Sequence, residues 1–253
     1  MSRIRLAHIV RHPVKSAGYQ DIGSTTLTAG RALPFDRQWA IKTTGLPFDG
    51  PPAHWMPKLA FVRGAAEGRL QAIKAQFDEE SGRIRLTHPD LPPFEGSLPS
   101  DGPALVDWIR PLWPARRPDP EALVSRTDGG ALTDVPEPHV SILSLKTNRI
   151  LGQRLGRDLS IYRWRGNLWL DGLDPWEEFD LIGSEITIGG ARLRIEDRIT
   201  RCVATTFDPE TGLKDADTLG ALEDGFDHQD FGVYARVIES GPIAVGDTVT
   251  VMP

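Results

Sequence analysis

Turn residues constrain this chain more than any other feature: 21 prolines and 25 glycines are spread over all 253 positions. Spacing of that kind leaves room for short segments only, and the segments between them mostly alternate apolar with polar residues. Strands are expected at Ile4 to Val10, Gln38 to Thr43, Leu59 to Arg63 and Arg83 to Thr87. Later ones are expected at Leu159 to Arg163, Asn167 to Leu170, Glu185 to Ile188, Arg192 to Ile195, Val233 to Ile238 and Thr248 to Val251. Gly189-Gly190 between two of these is a hairpin signal. So many strands are most simply satisfied by a closed or partly closed barrel, which leaves few exposed edges. Two helices interrupt the pattern. One runs from Gly102 to Leu112 with Asp101 as its cap and Leu105, Trp108, Ile109 and Leu112 as its apolar stripe; the other runs from Leu145 to Leu155, capped by Ser144 and stopped at Gly156. The expected class is therefore mainly β with a few helices. The Pro- and Arg-rich stretch from Pro114 to Pro138 is the expected boundary, dividing the chain into residues 1–118 and 119–253.

Composition excludes several functions. A single cysteine, Cys202, permits neither an internal disulfide nor a cysteine-rich zinc or iron–sulfur site. The formal charge is −6, from 29 basic and 35 acidic residues, and the basic ones are scattered, which argues against nucleic acid as a partner. The opening segment, interrupted by Arg3, Arg5 and His8, does not read as a secretory signal, and no apolar run is long enough to span a bilayer; a cytoplasmic protein is the expectation. Nucleophile elbows, phosphate loops, His-Glu-x-x-His and dinucleotide glycine fingerprints are absent. His8 and His12 lie on an extended segment and need not converge. Asp215 and Asp217 suggest a calcium loop, but Leu219 and Phe226 occupy ligand positions.

What remains is Arg201-Cys202, followed by Val203 to Phe207 and then Asp208-Pro209-Glu210-Thr211-Gly212. A lone cysteine is commonly a small buried hydrophobe. Arg201, Arg198 and Arg194 upstream would instead favour a thiolate, the form a soft metal binds. Both readings stand on composition alone.

The stretch from Arg201-Cys202 to Gly212 resembles the signature of MOSC domains, the molybdenum cofactor sulfurase C-terminal module. Arg163-Trp164-Arg165-Gly166-Asn167 is similar to that family's Arg-x-Arg-Pro-Asn segment, with Gly166 where the family has proline. Pro175-Trp176-Glu177-Glu178, Phe231-Gly232-Val233-Tyr234 and Val245-Gly246-Asp247 also match in order. His12-Pro13-Val14-Lys15-Ser16 with Phe35-Asp36-Arg37 resembles the N-terminal β-barrel domain that precedes the module in the mitochondrial amidoxime-reducing component and its bacterial relatives.

The resemblance implies a MOSC-type β-barrel behind an N-terminal β-barrel-like domain, and a molybdenum cofactor (molybdopterin) with Cys202 as the protein ligand to molybdenum. Lys15, Ser16 and Arg37 match residues that hold the pterin phosphate. Arg165, Asn167 and Arg201 match positions against the cofactor. A Lys charge, an Arg fork and a hydroxyl suit a phosphate dianion. Trp164, Trp169 and Trp176 could line a substrate mouth, whereas Trp108 and Trp113 read as helix-packing residues. Asp208 either helps deliver protons or caps the turn at Pro209. The implied activity is two-electron reduction of N-hydroxylated or related small substrates. With no cluster or nucleotide site of its own, the chain needs an external electron donor, ferredoxin-like or a haem protein, for which Arg110, Arg116 and Arg117 offer a basic patch. The alternative is a cofactor or persulfide carrier without turnover.

Overall fold

The computed structural model describes residues 3–46, 48 and 50–252. Met1 and Ser2, which open the segment read above for a signal, lie outside the described residues. In chain order the elements are β1 (Arg5–Arg11), β2 (Gln20–Ile22), β3 (Ser24–Leu27), β4 (Ala40–Thr43), β5 (Lys74–Phe77), β6 (Arg83–His88), β7 (Leu91–Ser97), α1 (Gly102–Ile109) and β8 (Pro120–Val124). They continue with β9 (Val140–Ser144), α2 (Leu145–Arg154), β10 (Leu168–Asp171), α3 (Glu177–Asp180), β11 (Glu185–Ile188), β12 (Ala191–Thr200), α4 (Thr218–Phe226), β13 (Asp230–Glu239), β14 (Gly241–Ala244) and β15 (Val249–Met252).

One eight-stranded sheet dominates, in the order β15-β11-β12-β13-β9-β10-β1-β2. Its only parallel pair is β9 with β10. The sheet curls until β1 meets the start of β15: Leu6 N–H donates to Asp247 at 2.9 Å and Val249 N–H to Ile4 at 2.9 Å. Alternation makes this barrel-like sheet work. Leu6, Ile9, Ile142, Leu168, Leu193, Val233, Ala235 and Val237 share one buried cluster on its inner face, so Tyr234 and Arg236 fall on the outer one.

A second cluster belongs to the N-terminal sheet β5-β6-β7 and to α1, through Ile73, Phe77, Ile84, Leu86, Leu105, Ile109 and Leu112. A third, around Trp164, Trp169, Leu151, Leu222 and Phe231, packs α2 and α4 on the outer face of the large sheet. The Trp164 and Phe231 rings stack at 3.8 Å. Trp164 and Trp169 are thus core residues and line no mouth, while Trp113 is buried and Trp108 packs beside Phe94 as expected.

Several expectations need correction. Leu59 to Arg63 forms no strand; a 3-10 turn covers Lys58–Ala60. Leu159 to Arg163 is likewise replaced by a 3-10 turn over Ile161–Trp164, because the Ser160 hydroxyl accepts from Tyr162 N–H and starts a helical turn. The first helix stops being α-helical at Ile109, where Pro111 cannot donate a backbone hydrogen bond, and ends as a 3-10 turn. Asp101 does not cap it, since its carboxylate takes Ser97 N–H at 2.7 Å. The second helix keeps its cap, with Thr147 N–H donating to Ser144 Oγ at 3.2 Å. The Gly189-Gly190 hairpin forms as read, with Ile188 paired to Ala191.

α3 carries a carboxyl in an unusual place. Glu178 is fully buried, accepts one hydrogen bond from Thr147 Oγ1 at 2.9 Å, and its Oε1 has no partner among the described residues. Burial therefore pushes its pKa up to about 7. A carboxyl whose folded pKa is raised contributes stability that is fully present below its unfolded pKa, near 4.3, and is lost as pH rises through 7. Glu178→Gln, which keeps the neutral shape, should therefore unfold at a higher urea concentration than the parent at pH 8, by up to about 3 kcal/mol. The two should converge near pH 4, and a constant difference across that range would contradict the assignment.

Candidate functional site

Three loops and two strands converge beyond the end of β1. The first loop carries His12 to Tyr19, the second Phe35 to Arg37, and the third Arg165 to Asn167. From the other side come Arg201-Cys202, at the end of β12, and Tyr234 on β13. Four of the predicted residues, Lys15, Arg37, Arg165 and Arg201, form one electrostatically coupled group of cations.

Two of these cations have dedicated carboxylates. Lys15, fully buried on a loop turn, donates to the Leu132 carbonyl at 2.9 Å and pairs with Asp134. Burial pulls its ammonium pKa down and Asp134 works against that. Arg37 pairs with its neighbour Asp36 and donates through Nη2 to the Arg165 carbonyl at 2.8 Å. Asp36 is fully inside; burial alone would raise its pKa, but Arg37 and His12 hold it below the usual carboxylate range. It accepts from His12 N–H at 2.8 Å and lies 3.0 Å from His12 Nδ1. His12 is neutral near pH 7, because burial and the guanidiniums of Arg165 and Arg37 bring its pKa down to about 3.

The other two cations have no carboxylate within salt-bridge distance among the described residues. Arg165 reaches only the Gly18 carbonyl, at 3.5 Å, and burial followed by repulsion from Arg37 lowers its pKa to about 9. Arg201 donates to two carbonyls, Phe231 at 2.7 Å and Trp164 at 3.0 Å, and burial lowers its pKa to about 10. Two partly buried guanidiniums without a carboxylate in salt-bridge range form a site that favours an anion.

The backbone is strained at the same place. Ser16, Phe35, Arg37 and Arg165 all have positive φ, at 63°, 59°, 51° and 50°, and they are four of six such non-glycine residues among those described. Each costs on the order of 1 kcal/mol, and such residues concentrate where function fixes geometry. After Arg165 the chain needs glycine: a Cβ at Gly166 would lie 2.1 Å from Leu143 Cδ1 in the core.

Cys202 is exposed and stands just before the 3-10 turn Val203–Thr206, with its carbonyl accepting from Thr205 N–H at 3.1 Å and Thr205 Oγ1 at 3.0 Å. The buried-filler reading of this cysteine is thereby overturned. Of the upstream arginines, Arg201 acts on it electrostatically. Arg194 pairs with Glu185 at 2.8 Å and Arg198 lies over the Phe179 ring at 4.2 Å. The segment that follows is clamped to the N-terminal elements. Gln71 Nε2 donates to the Ala204 carbonyl at 2.9 Å, Lys74 Nζ to Glu210 Oε2 at 2.6 Å, and Gly68 lies so close to the Phe207 ring that a Cβ would come within 2.1 Å of it.

Two predicted residues take other places. Asn167 points into the sheet, where Oδ1 accepts from Ser141 N–H and Oγ while Nδ2 donates to the Val10 carbonyl, so it fastens β1 to β9. Asp208 caps its own turn, accepting from Glu210 N–H at 3.0 Å and Thr211 Oγ1 at 3.2 Å. Ser16 is part-buried on the Lys15 loop. Asp215 pairs with Arg163, and Asp217 caps α4, so neither serves a calcium loop.

The MOSC domain family matches residues 130–250, the stretch that supplies Arg165, Arg201, Cys202 and Tyr234. Residues 130–250 carry a MOSC domain. MOSC domains are associated with molybdenum-cofactor binding. No curated protein matches the chain significantly. Among solved structures it is similar to YiiM from Geobacillus stearothermophilus, with 18% identity, 45% of this chain and 54% of that chain covered, and a TM-score of 0.34. It is also similar to the YuaD protein from Bacillus subtilis, with 13% identity, 99% and 98% covered, and a TM-score of 0.47. The chain spans about half the length of the YiiM chain. No helix among the described residues is long and apolar enough to cross a membrane.

Reading the sequence missed Asp36 as the partner of Arg37, although it sits inside the Phe35-Asp36-Arg37 tripeptide, and missed Asp134 altogether. Asp134 lies 119 positions from Lys15, and no local pattern marks it. Both acids have depressed pKa values: Arg37 and His12 hold Asp36 down against its burial, and Lys15 brings the exposed Asp134 down to about 2. Their stabilisation is present above the unfolded aspartate value, near 4, and is lost as pH falls toward the folded values. Asp36→Asn should cost roughly 3 kcal/mol at pH 7 and less at pH 2.5, where part of that stabilisation is lost. Equal losses in urea unfolding at both pH values would show that the charge is not what matters.

Proposed function

We propose that this chain binds the molybdenum cofactor beside the Lys15, Arg37, Arg165 and Arg201 cluster, takes Cys202 as the protein thiolate ligand, and reduces small N-hydroxylated or related substrates. The observation that carries this reading is the pair of guanidiniums without carboxylates in salt-bridge range, Arg165 and Arg201, the second of them next to the exposed Cys202 in the MOSC stretch. The residues present suit the group. Lys15, Arg37 and Arg165 offer a point charge and two forks to a phosphate ester, and Cys202 offers a soft ligand at the open edge.

When bound, the cofactor supplies a metal able to take up and release two electrons and an oxygen atom. Around it the chain contributes binding and orientation. Asp36 and His12 aim Arg37, the clamp from Gln71, Lys74 and Gly68 holds the Cys202 turn in place, and the arginine excess compensates negative charge. Reducing equivalents come from a separate ferredoxin-like or haem protein, since one cysteine cannot hold a cluster. The exposed Arg116 and Arg117 are one place where such a partner could be steered.

Protein purified from a host that makes the cofactor should contain about one molybdenum and one releasable pterin per chain. It should reduce an N-hydroxylated compound with reduced viologen, and not with NADH alone. Cys202→Ser should lose that activity while keeping some pterin through its phosphate. Molybdenum with no turnover would favour the carrier reading, for which the exposure of Cys202 also speaks. Protein free of molybdenum and pterin would overturn both.

A further inference from the structure

Of the two carboxylates at the cluster, one is fixed and the other is free to leave. Asp36 is enclosed, its side chain 2% exposed, and it is held by His12 N–H at 2.8 Å, by His12 Nδ1 at 3.0 Å and by the Arg37 guanidinium. The Asp134 side chain is 54% exposed, and Lys15 Nζ is its one hydrogen-bond partner among the described residues. A carboxylate that keeps half of its surface in water gives up an ion pair at little cost.

Asp134 also stands where an anion would be most strongly held. Its charge acts on Lys15, Arg37 and Arg165, the three cations assigned above to a phosphate ester. Lys58, exposed on the 3-10 turn Lys58–Ala60, acts on it as well. Lys15 itself is 2% exposed, and its other acceptor is the Leu132 carbonyl. An oxyanion that is to reach this ammonium from solvent therefore enters where Asp134 now lies.

The backbone allows such an exchange. Residues 125–139 connect β8 to β9 with no helix or strand, and they include Gly129-Gly130, Pro136 and Pro138. Leu132 anchors this segment: it is fully buried, its N–H donates to the Arg37 carbonyl at 2.8 Å and its carbonyl accepts from Lys15 Nζ at 2.9 Å. Two residues on, Asp134 returns to the same ammonium from the exposed side. Between them the Thr133 carbonyl accepts from the half-buried Trp55 indole N–H at 2.9 Å. The indole thus touches the peptide that must turn when Asp134 lets go.

We propose that Asp134 is a built-in competitor at this site: its carboxylate holds the Lys15 ammonium until a phosphate or other oxyanion displaces it and turns the Thr133–Asp134 peptide against Trp55. The proposal rests on reading the cluster as an anion site. Before the anion arrives, Asp134 keeps a buried cation paired. Once displaced, it makes the site selective. A monoanion exchanges one charge for another, whereas a dianion brings a second charge to the arginines that have no carboxylate.

The test uses the full chain without cofactor and inorganic phosphate as the probe, with titration calorimetry for affinity and tryptophan fluorescence for the loop. Asp134→Asn keeps the size and removes the competing charge, so it should bind phosphate on the order of tenfold more tightly than the parent. Asp134→Ser, a second neutral replacement at this exposed position, should do the same. Phosphate should shift the emission of the parent, Trp55→Phe should abolish that shift, and Asp134→Asn should show the shifted emission before phosphate is added. If the parent binds phosphate and neither neutral variant binds it more tightly, the competition is refuted while the anion site stands. Tighter binding by the variants with no emission change in the parent would show that Asp134 repels the anion without moving, and would overturn the displacement. If neither the parent nor the variants bind phosphate, the anion-site reading fails and this proposal with it.

Discussion

Two more cations than carboxylates converge at the end of β1, and much of the surrounding architecture can be understood as what holds them there. A partly buried guanidinium loses hydration that carbonyls replace incompletely. Here Arg165 and Arg201 take only carbonyl oxygens, from Gly18, Trp164 and Phe231. The Trp164 and Phe231 carbonyls belong to segments fixed by the stacking of those two rings. The aromatic cluster outside the large sheet is thus the support on which the uncompensated charge stands, and weakening it would release the arginines to solvent.

Strain and charge coincide for a physical reason. Bringing Lys15, Arg37 and Arg165 to one point from three loops requires sharp local reversals, and positive φ at Ser16, Arg37 and Arg165 supplies them. The barrel offsets that cost through an inner face drawn from β1, β9, β10, β12 and β13. Asn167 ties the third loop to this rigid part: its side chain spans β1 and β9 two residues after Arg165. Its importance is positional, which a motif match alone could not separate from direct contact.

How much was legible in the sequence follows from how local each signal is. Alternation, turn residues and the Ser144 cap are local, and they located six of the eight strands of the large sheet, missing β2 and β9, and the helices α1 and α2 but not α4. Short apolar runs near Leu59 and Leu159 misled, because a four- or five-residue run fits a strand or a helical turn equally well and only neighbours decide. At the site, the cations and Cys202 were visible because they lie in ordered motifs. Asp134 and the clamp from Gly68 and Gln71 were not, since each makes a contact between distant segments that leaves no pattern in either.

The clamp links the two parts of the chain in a way that bears on chemistry. Cys202 is at the end of a MOSC strand, but the turn after it is held by Gln71, Lys74 and the cleft over Gly68, all from the N-terminal elements. The cations are divided the same way, with Lys15 and Arg37 from the first forty residues and Arg165 and Arg201 from the MOSC domain. Neither part alone can set the distance between the thiol and the anion cluster. A group that bridged them would gain affinity only when both parts are docked, because docking fixes the spacing before binding and removes an ordering cost that binding would otherwise meet. The Cys202 turn and the cation cluster therefore both draw on elements from the two parts of the chain, with Phe207 packed against Gly68 where those parts meet.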